Sequence, residues 1–343
     1  MTSELKVDSA TVVLGIETSC DETAASVVMG GNDVLSSVVA SQLEIHARFG
    51  GVVPEIASRA HLEAINPVIE QAIKKSGLSF DRIDAVAATV GPGLIGALLV
   101  GVSAAKSVSL ALGVPFVGVN HLEAHLYAAM LDDPNVEFPM LVLLVSGGHT
   151  MLVEVRKPGE YQIVGQTRDD AAGEAFDKVA RFLNLGYPGG PAIDALAKTG
   201  NADAIDFPRA MLNDGLDVSF SGLKTAVINH VRKDTQAKTN DIVASFQRAV
   251  VDVLVAKTIR AAENLGARTI ALGGGVAANS LLRSEITRLA KQKDFRVVLP
   301  SLAMCTDNAA MIASAGWHRL QLSGASGLDA GAYPNLGLNV SQV

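Results

Sequence analysis

The sequence is poor in cysteine, in aromatic residues and in basic charge. Only Cys20 and Cys305 occur among 343 residues, which excludes a disulfide framework and favours a cytoplasmic location. The net charge of -7 argues against general attraction to nucleic acid, although a local basic groove is compatible with it. The first residues contain no basic segment followed by a long apolar one, so we expect no secretory signal.

The sequence also lacks an uninterrupted apolar run of membrane-spanning length. The nearest candidate, residues 94–119, is interrupted by Lys106 and several serines, and Gly113 and Pro115 break it near its end. This pattern predicts a buried helix followed by a strand. We therefore expect no membrane partner.

Small and aliphatic residues are abundant, and one pattern of them occurs twice. Residues 11–29 and 140–155 both read as an apolar strand, a polar turn of small residues and a second apolar strand. Helices and further strands follow each hairpin, and a long helix is predicted between an N-cap at Thr239 or Asn240 and Gly266. We predict a duplicated α/β protein with lobes 11–130 and 131–307, the first completed by a helix at 308–325.

The two hairpin turns are candidate binding elements. In the second turn, Ser146, Gly147, Gly148 and Thr150 allow backbone N–H groups to converge on an anion, which predicts a phosphate site. The first turn offers the hydroxyls of Thr18, Ser19 and Thr23 for the same purpose. It adds Asp21 and Glu22, which can hold a metal through water or polarise a nucleophile. Ordinary polar hairpin turns are the alternative interpretation.

Two further glycine-rich turns open helices in the second half. Gly273 to Gly275 allow a flat ligand to approach the backbone, and Asn279 can hydrogen-bond a sugar or a base. Gly190 and Asp194 stand at another helix start, where a carboxylate can accept ribose hydroxyls. A Pro-Gly turn followed by a helix-start acid explains the same residues without a ligand.

A pair of histidines suggests a metal. His121 and His125 lie four residues apart on one predicted helix face, and Asp307 precedes a later helix as a candidate third ligand. Two imidazoles and one carboxylate suit Fe(II) or catalytic Zn(II). A metalloprotease is excluded because Glu123 lies on another face than the histidines. The alternative is two partly buried histidines with structural hydrogen bonds.

Nine segments together resemble one family. In chain order they are GIETSCDET, SQLEIHARFGGVVPEIASRAH, NHLEAHL, VSGGHT, DDAAGEAFDKVA, YPGGP, FSGLKTAV, GGGVAAN and CTDNAAMIA. The resemblance is to the TsaD family of tRNA adenosine threonylcarbamoyltransferases and covers residues 11–337. Leu144 and His149 stand where the archaeal and eukaryotic branch has tyrosine and asparagine, so the chain is more similar to the bacterial branch.

The resemblance implies an actin, sugar-kinase and chaperone-ATPase (ASKHA) fold with a nucleotide cleft between duplicated lobes. It implies transfer of threonylcarbamoyl from threonylcarbamoyl-AMP to N6 of the adenosine beside the anticodon, in tRNAs that read codons beginning with A. Asp21 and Glu22 match the catalytic acids, and His121, His125 and Asp307 match the metal ligands. The substrate or nucleotide positions correspond to Ser146, Gly147, Gly148, His149, Thr150, Asp177, Gly190, Asp194 and Asn279.

The resemblance further implies cofactors and partners. One divalent metal is expected, Fe2+ first and Zn2+ or Mg2+ as alternatives, and ATP or ADP can occupy the substrate's cleft. Besides tRNA, the partners are a TsaB heterodimer subunit, the TsaE ATPase and an upstream threonylcarbamoyl-AMP synthase. The helix at 55–75, with an apolar stripe of Ile56, Ile65, Ile69 and Ile73, is either a partner face or core.

Two other classes of protein are compatible with the same fold. A small-molecule kinase would use the same phosphate turns but has no need of the two-histidine site. A nucleotide-driven chaperone or filament protein would likewise leave the metal ligands without a use.

Overall fold

The computed structural model describes residues 6–133 and 135–338 and separates into two compact units. The first unit joins the chain up to Asn135 with the chain from Thr306 onward, and the second is Val136–Cys305. The sequence divided the chain at residues 130 and 307. Thr306 and Asp307 therefore fall in the first unit, together with the helix that follows them.

The described part of the first unit contains a five-stranded sheet and five α-helices. Its strands, in the sheet order β3-β2-β1-β4-β5, are β1 (Val12–Glu17), β2 (Glu22–Met29), β3 (Asp33–Ser41), β4 (Ala85–Gly91) and β5 (Phe116–Asn120). Its helices within the described ranges are α1 (Leu43–Ala47), α2 (Pro54–Ser76), α3 (Ile95–Leu112), α4 (His121–Asp132) and α11 (Ala309–Ser323).

The sheet of the first unit is covered on both faces. Every residue of β1 is buried, and alternate side chains point to opposite faces because successive residues of a strand do so. Leu14 and Ile16 pack in a core cluster with residues of α2 and α3. Gly15 faces α11, where a Cβ would lie 2.3 Å from the carbonyl oxygen of Ala309, so only glycine permits this approach.

The isoleucine stripe of α2, which the sequence left as either a partner face or core, belongs mainly to the core. Ile65, Ile69 and Ile73 are buried in the core of the first unit, so they do not form an exposed partner face. The exposed apolar residue of this helix is Leu62, which is 63% accessible. Pro67 lies inside the helix without ending it.

The α3 helix corresponds to the apolar segment noted in the sequence. By length and composition alone it could cross a membrane, and 33% of its 18 residues are buried. It packs against β4 and α2. It is therefore a helix packed within a folded unit, as the sequence predicted, although one apolar side with Ile95, Leu99 and Leu110 is exposed.

The second unit has its own five-stranded sheet and six helices in its described part. The strands, in the order β10-β9-β6-β7-β8, are β6 (Met140–Val145), β7 (Thr150–Lys157), β8 (Glu160–Gln166), β9 (Thr269–Gly273) and β10 (Arg296–Val298). The helices are α5 (Ala172–Phe182), α6 (Gly189–Ala197), α7 (Ser221–Lys233), α8 (Thr239–Leu265), α9 (Ser280–Gln292) and α10 (Leu302–Cys305).

The two sheets have the same topology. In each, an antiparallel three-stranded meander is extended by two parallel strands on the side of its first strand. The β1–β2 and β6–β7 hairpins consequently occupy equivalent places in their sheets. This repetition agrees with the duplication predicted from the two hairpin patterns.

Candidate metal centre and glycine-rich site

The two histidines lie at the start of α4, directly after β5. The Asn120 side chain is the N-cap, with its Oδ1 accepting hydrogen bonds from the N–H groups of Leu122 and Glu123. Because they are four residues apart on this helix, His121 and His125 project from the same side. Their ring centroids are 4.8 Å apart with an interplanar angle of 82°.

Asp307 joins the two imidazoles. Its Oδ1 lies 3.5 Å from His121 Nε2 and 3.2 Å from His125 Nε2, and one ligand atom of each residue lies within 4.8 Å of the others. Asn308 caps α11 by accepting a hydrogen bond from the Met311 N–H, which fixes the backbone beside Asp307. The structure thus brings together all three metal ligands that the sequence suggested.

The donor set fits a divalent metal. His125 Nδ1 is buried without a hydrogen-bond partner among the described residues, although a buried polar atom is normally satisfied, and Nε2 faces the Asp307 carboxylate. Burial opposes the cationic form of His121, but the charges of Asp307 and Glu17 raise its pKa to about 9. A site that attracts a proton this strongly also attracts a metal cation, and two imidazoles with one carboxylate suit Fe(II) or Zn(II).

One residue of this centre was missed by the sequence interpretation. Glu17, the last residue of β1, is fully buried and accepts a hydrogen bond from His121 Nδ1 at 2.9 Å. Burial alone would raise the pKa of Glu17, but the charge and hydrogen bond of His121 lower it. The motif GIETSCDET contains this residue, yet its contact joins positions 104 apart in the sequence.

The three hydroxyl residues of the first hairpin turn either join structural elements or contact His121. The hydroxyl of Thr18 donates to the Ala97 carbonyl and that of Thr23 contacts His61 Nδ1, so both are engaged in packing rather than directed towards a phosphate. Ser19 Oγ lies 3.3 Å from His121 Nδ1. Each of these side chains is buried.

Two acidic residues lie on the more accessible side of that turn. Burial, reinforced by Asp21 and Asp307, raises the pKa of Glu22 to about 9, so this carboxyl is protonated at neutral pH. Burial and the same carboxylates also raise the pKa of the Cys20 thiol. Cys20 is consequently a neutral thiol and unsuited to act as a nucleophile.

The second hairpin turn is built differently. Gly147 and Gly148 are exposed, and a Cβ on either would meet no atom within 4 Å. The turn is closed by the Ser146 N–H donating to the His149 carbonyl and the His149 N–H donating to Ser146 Oγ. Neither glycine is therefore needed for packing, and both leave open space beside the backbone.

The start of α5 packs against this turn. The N–H of Ala172 donates to Thr150 Oγ1 at 2.9 Å, and the N–H of Gly173 donates to the Ser146 carbonyl. A Cβ on Gly173 would lie 2.5 Å from that carbonyl oxygen, so glycine is required here. Farther along α5, Asp177 Oδ1 accepts a hydrogen bond from the N–H of Gly189, next to Gly190.

The remaining two candidate substrate residues are joined through Ser280. Asp194 Oδ1 accepts hydrogen bonds from the Ser280 hydroxyl and N–H. Asn279 is the N-cap of α9, with its Oδ1 accepting from the Leu282 N–H and its Nδ2 donating to Gln247 Oε1. Each polar atom of the Asn279 amide thus has a protein partner. All the candidate substrate residues from Ser146 to Asn279 therefore belong to the second unit, whereas the candidate catalytic acids Asp21 and Glu22 belong to the first.

The fold is shared with solved structures of distant sequence. HypF from T. kodakarensis is 15% identical, with a TM-score of 0.64 over 94% of this chain and 49% of that chain. Component A of (R)-2-hydroxyglutaryl-CoA dehydratase from Acidaminococcus fermentans is also 15% identical, with a TM-score of 0.56 over 91% and 100% of the two chains. Together with the repeated sheet topology, these neighbours place the chain in the ASKHA fold class.

Sequence comparison is far more specific. The family profile described as "TsaD: tRNA N6-adenosine threonylcarbamoyltransferase" matches residues 33–314. Relatives bearing that enzyme name are 52% identical in Clostridium perfringens strain SM101, over 95% of this chain and 98% of the relative, and 51% identical in Clostridioides difficile strain 630, over 96% and 98%. The chain belongs to the TsaD family and is a transferase of tRNA modification.

Proposed function

We propose that the chain transfers threonylcarbamoyl from threonylcarbamoyl-AMP to N6 of the adenosine beside the anticodon, in tRNAs that read codons beginning with A. The observation that supports this most is the convergence of His121, His125 and Asp307 in a chain of this family. In the reaction, the adenine amine attacks the carbamoyl carbon, the bond to the phosphate oxygen breaks, and AMP leaves. The donor is already activated, so no covalent enzyme intermediate is needed.

The proposed metal ligands are His121, His125 and Asp307. Fe2+ is the first candidate and Zn2+ the second, because two imidazole nitrogens favour these ions over Mg2+. When bound, the ion supplies a Lewis acid for a phosphate or carbonyl oxygen of the donor. The protein contributes the start of α4, capped by Asn120, which carries both imidazoles, and the Glu17 carboxylate, which contacts Nδ1 of His121.

The second unit is proposed to hold the nucleotide part of the donor. Support comes from the open backbone at Gly147 and Gly148, where N–H groups can reach an anion without obstruction from side chains. Ser146, His149 and Thr150 maintain the conformation of the turn. The ribose and base are assigned to Asp177, Gly190, Asp194 and Asn279, and ATP or ADP would use the same positions.

Asp21 and Glu22 are proposed as the catalytic acids. The attacking amine must release a proton, and this pair offers two carboxyl groups in a hairpin turn beside the residues that contact His121. Asp21 is the candidate proton acceptor, because the Glu22 carboxyl is already protonated at neutral pH and serves as a hydrogen-bond donor. We expect Asp21→Asn to lose turnover while the KM for threonylcarbamoyl-AMP is retained, and Glu22→Gln, which keeps a neutral donor, to lose less.

A TsaB subunit is proposed as the heterodimer partner, with TsaE as an associated ATPase and a threonylcarbamoyl-AMP synthase acting upstream in the cytoplasm. The supporting surface is the exposed apolar side of α2 and α3, with Leu62 at 63%, Leu99 at 50% and Ile95 at 49% accessibility. Leu62→Glu should abolish heterodimer formation in size-exclusion chromatography without unfolding the chain. Retention of the heterodimer would place the partner elsewhere.

The test of the reaction is nucleoside mass spectrometry of an unmodified tRNA incubated with the chain, threonylcarbamoyl-AMP, TsaB and TsaE. We expect N6-threonylcarbamoyladenosine with the wild-type chain and its loss with His121→Ala. His230→Ala, which removes an imidazole from α7 of the second unit, is the matched control and should retain activity. Absence of product with wild type and verified partners would contradict the proposal and favour the kinase alternative.

A further inference from the structure

The two metal-site histidines have different surroundings. Behind His121, the Glu17 carboxylate contacts Nδ1 at 2.9 Å, so the opposite nitrogen, Nε2, faces Asp307. Behind His125 no such group exists within the described residues: its Nε2 faces Asp307, and its Nδ1 has no hydrogen-bond partner. The pair is therefore asymmetric.

Glu17 is held by three donors. Its Oε1 accepts a hydrogen bond from the Ser19 N–H, and its Oε2 accepts from Thr89 Oγ1 at 2.7 Å and from His121 Nδ1. A carboxylate that accepts these bonds fixes the hydrogen of the neutral imidazole on Nδ1. The lone pair of Nε2 is then directed away from Glu17, to the side on which Asp307 lies.

We propose that Glu17 is a positioning residue that sets the tautomer and orientation of His121, so that Nε2 is available to a metal. Carboxylates behind metal-binding histidines act in this way generally, and their removal lowers metal affinity. The inference rests on the proposed metal site and identifies the buried group that prepares one of its ligands.

A purely structural role for Glu17 is the competing explanation. Its contacts with Ser19 and Thr89 join the first hairpin turn to β4, and losing them would destabilise the first unit whether or not a metal binds. The two explanations differ in what happens at the imidazole. Only the positioning role predicts a change in which ring nitrogen carries the proton.

The Glu17→Gln variant distinguishes the positioning role from the purely structural role. The Ser19 N–H can only donate, so the amide oxygen must face it, and the amide NH2 group then faces Thr89 and His121. An NH2 group beside Nδ1 requires that nitrogen to accept, which moves the imidazole hydrogen to Nε2. An Nε2–H imidazole cannot ligate a metal through that nitrogen.

Glu123→Gln is the matched control. Glu123 is a buried carboxylate on α4, two residues from each histidine, and its Oε2 accepts from Arg319 at 3.0 Å. Its loss would weaken the packing of α4 on α11 without changing the group behind His121. Glu17→Asp keeps a carboxylate and should partly restore what Glu17→Gln loses.

The experiment has two readouts on the full chain. Because the pKa of His121 is raised to about 9, long-range 1H–15N spectra of histidine-labelled, metal-free protein are recorded at a higher pH, where the imidazole is neutral. They report the tautomer, with His121→Gln assigning the signal. Titration with Zn2+ against a chromogenic chelator reports the affinity. We expect Nδ1–H in wild type and Glu123→Gln, Nε2–H in Glu17→Gln, and an affinity roughly 10- to 100-fold lower in Glu17→Gln alone.

Three results would overturn the inference. They are an Nε2–H imidazole at His121 in wild type, an unchanged tautomer in Glu17→Gln, and equal losses of Zn2+ affinity in Glu17→Gln and Glu123→Gln. The wild-type tautomer needs no variant, so the inference can be tested even if Glu17→Gln does not fold. Failure of wild type to bind Zn2+ would instead contradict the proposed metal site.

Discussion

The β1–β2 and β6–β7 hairpins occupy equivalent places in sheets of the same topology, yet their turns differ in solvent exposure. In the β1–β2 turn, Thr18, Ser19 and Thr23 are buried, and Glu17 next to them accepts a hydrogen bond from His121 of the candidate metal centre. In the β6–β7 turn, Gly147 and Gly148 are exposed with open space beside them. A duplicated scaffold thus has one turn whose preceding carboxylate contacts a candidate metal ligand, and one turn whose backbone is open to solvent.

The largest effect should come from the ligands of the first unit. Replacing either His121 or His125 by alanine removes one of three ligand atoms, and we expect Zn2+ binding and tRNA modification to be lost together. Inductively coupled plasma mass spectrometry gives the bound metal, and nucleoside analysis gives the product. Full activity in a metal-free His125→Ala chain would contradict the assignment.

A pH effect should be specific to the first unit. Burial lowers the pKa of His318 to about 4 from 6.5, so the unfolded state binds more protons between these values. The stabilisation is present above pH 6.5 and is lost as the pH falls to 4, by about 3 kcal/mol in total.

Trp317 offers a selective probe of this effect. It is the one tryptophan of the chain, and its ring centroid lies 5.0 Å from that of His318. Denaturant unfolding followed by its fluorescence should show that His318→Phe is less sensitive to acid than wild type over this range. Identical pH dependence of the two proteins would contradict the burial argument.

Thr23 and Thr150, one in each hairpin, allow a direct test of the difference between the two turns. Thr23→Val and Thr150→Val each remove a buried hydroxyl, leaving His61 Nδ1 or the Ala172 N–H without its bond, at an expected cost of about 1–3 kcal/mol. Only Thr150→Val should also weaken ADP binding, because Thr150 fixes the start of α5 against the glycine turn. Calorimetry of both variants, for stability and for ADP binding, gives the comparison. Equal ADP affinities would contradict it.

The smallest effect on stability should come from the glycine turn. Gly147→Ala places its Cβ in open space, so the free energy of unfolding should stay within about 0.5 kcal/mol of wild type. The same methyl group would obstruct a bound phosphate, and we expect ADP affinity to fall roughly tenfold, or about 1.4 kcal/mol. Isothermal titration calorimetry measures it. Unchanged affinity would show that the turn does not hold the phosphates.

Local patterns in the sequence predicted much of this arrangement. The repeated hairpin pattern predicted the duplicated sheets, and the spacing of His121 and His125 predicted a shared helix face. Gly266 ends α8 with a φ of 60°, as its glycine indicated. Asp307 was predicted as the third metal ligand because it is a carboxylate directly before a predicted helix, and α11 does begin at Ala309 after the Asn308 cap.

What the sequence did not predict depends on tertiary contacts. Glu17 reads as one polar residue at the end of an apolar strand, and only the folded sheet places it behind His121. The isoleucines of α2 could face either core or solvent until the sheet position was known. The α8 helix begins one residue after Lys238, without a side-chain cap, so the predicted cap at Thr239 or Asn240 was wrong.

We propose that a metal held by His121, His125 and Asp307 supports the transfer. The most direct test of this proposal is modification of tRNA by chelator-stripped chain, with TsaB, TsaE and threonylcarbamoyl-AMP, as Fe2+ or Zn2+ is added back. We predict that the rate is lost on stripping and rises until each chain holds one ion. Modification at the full rate by verified metal-free chain would contradict the account.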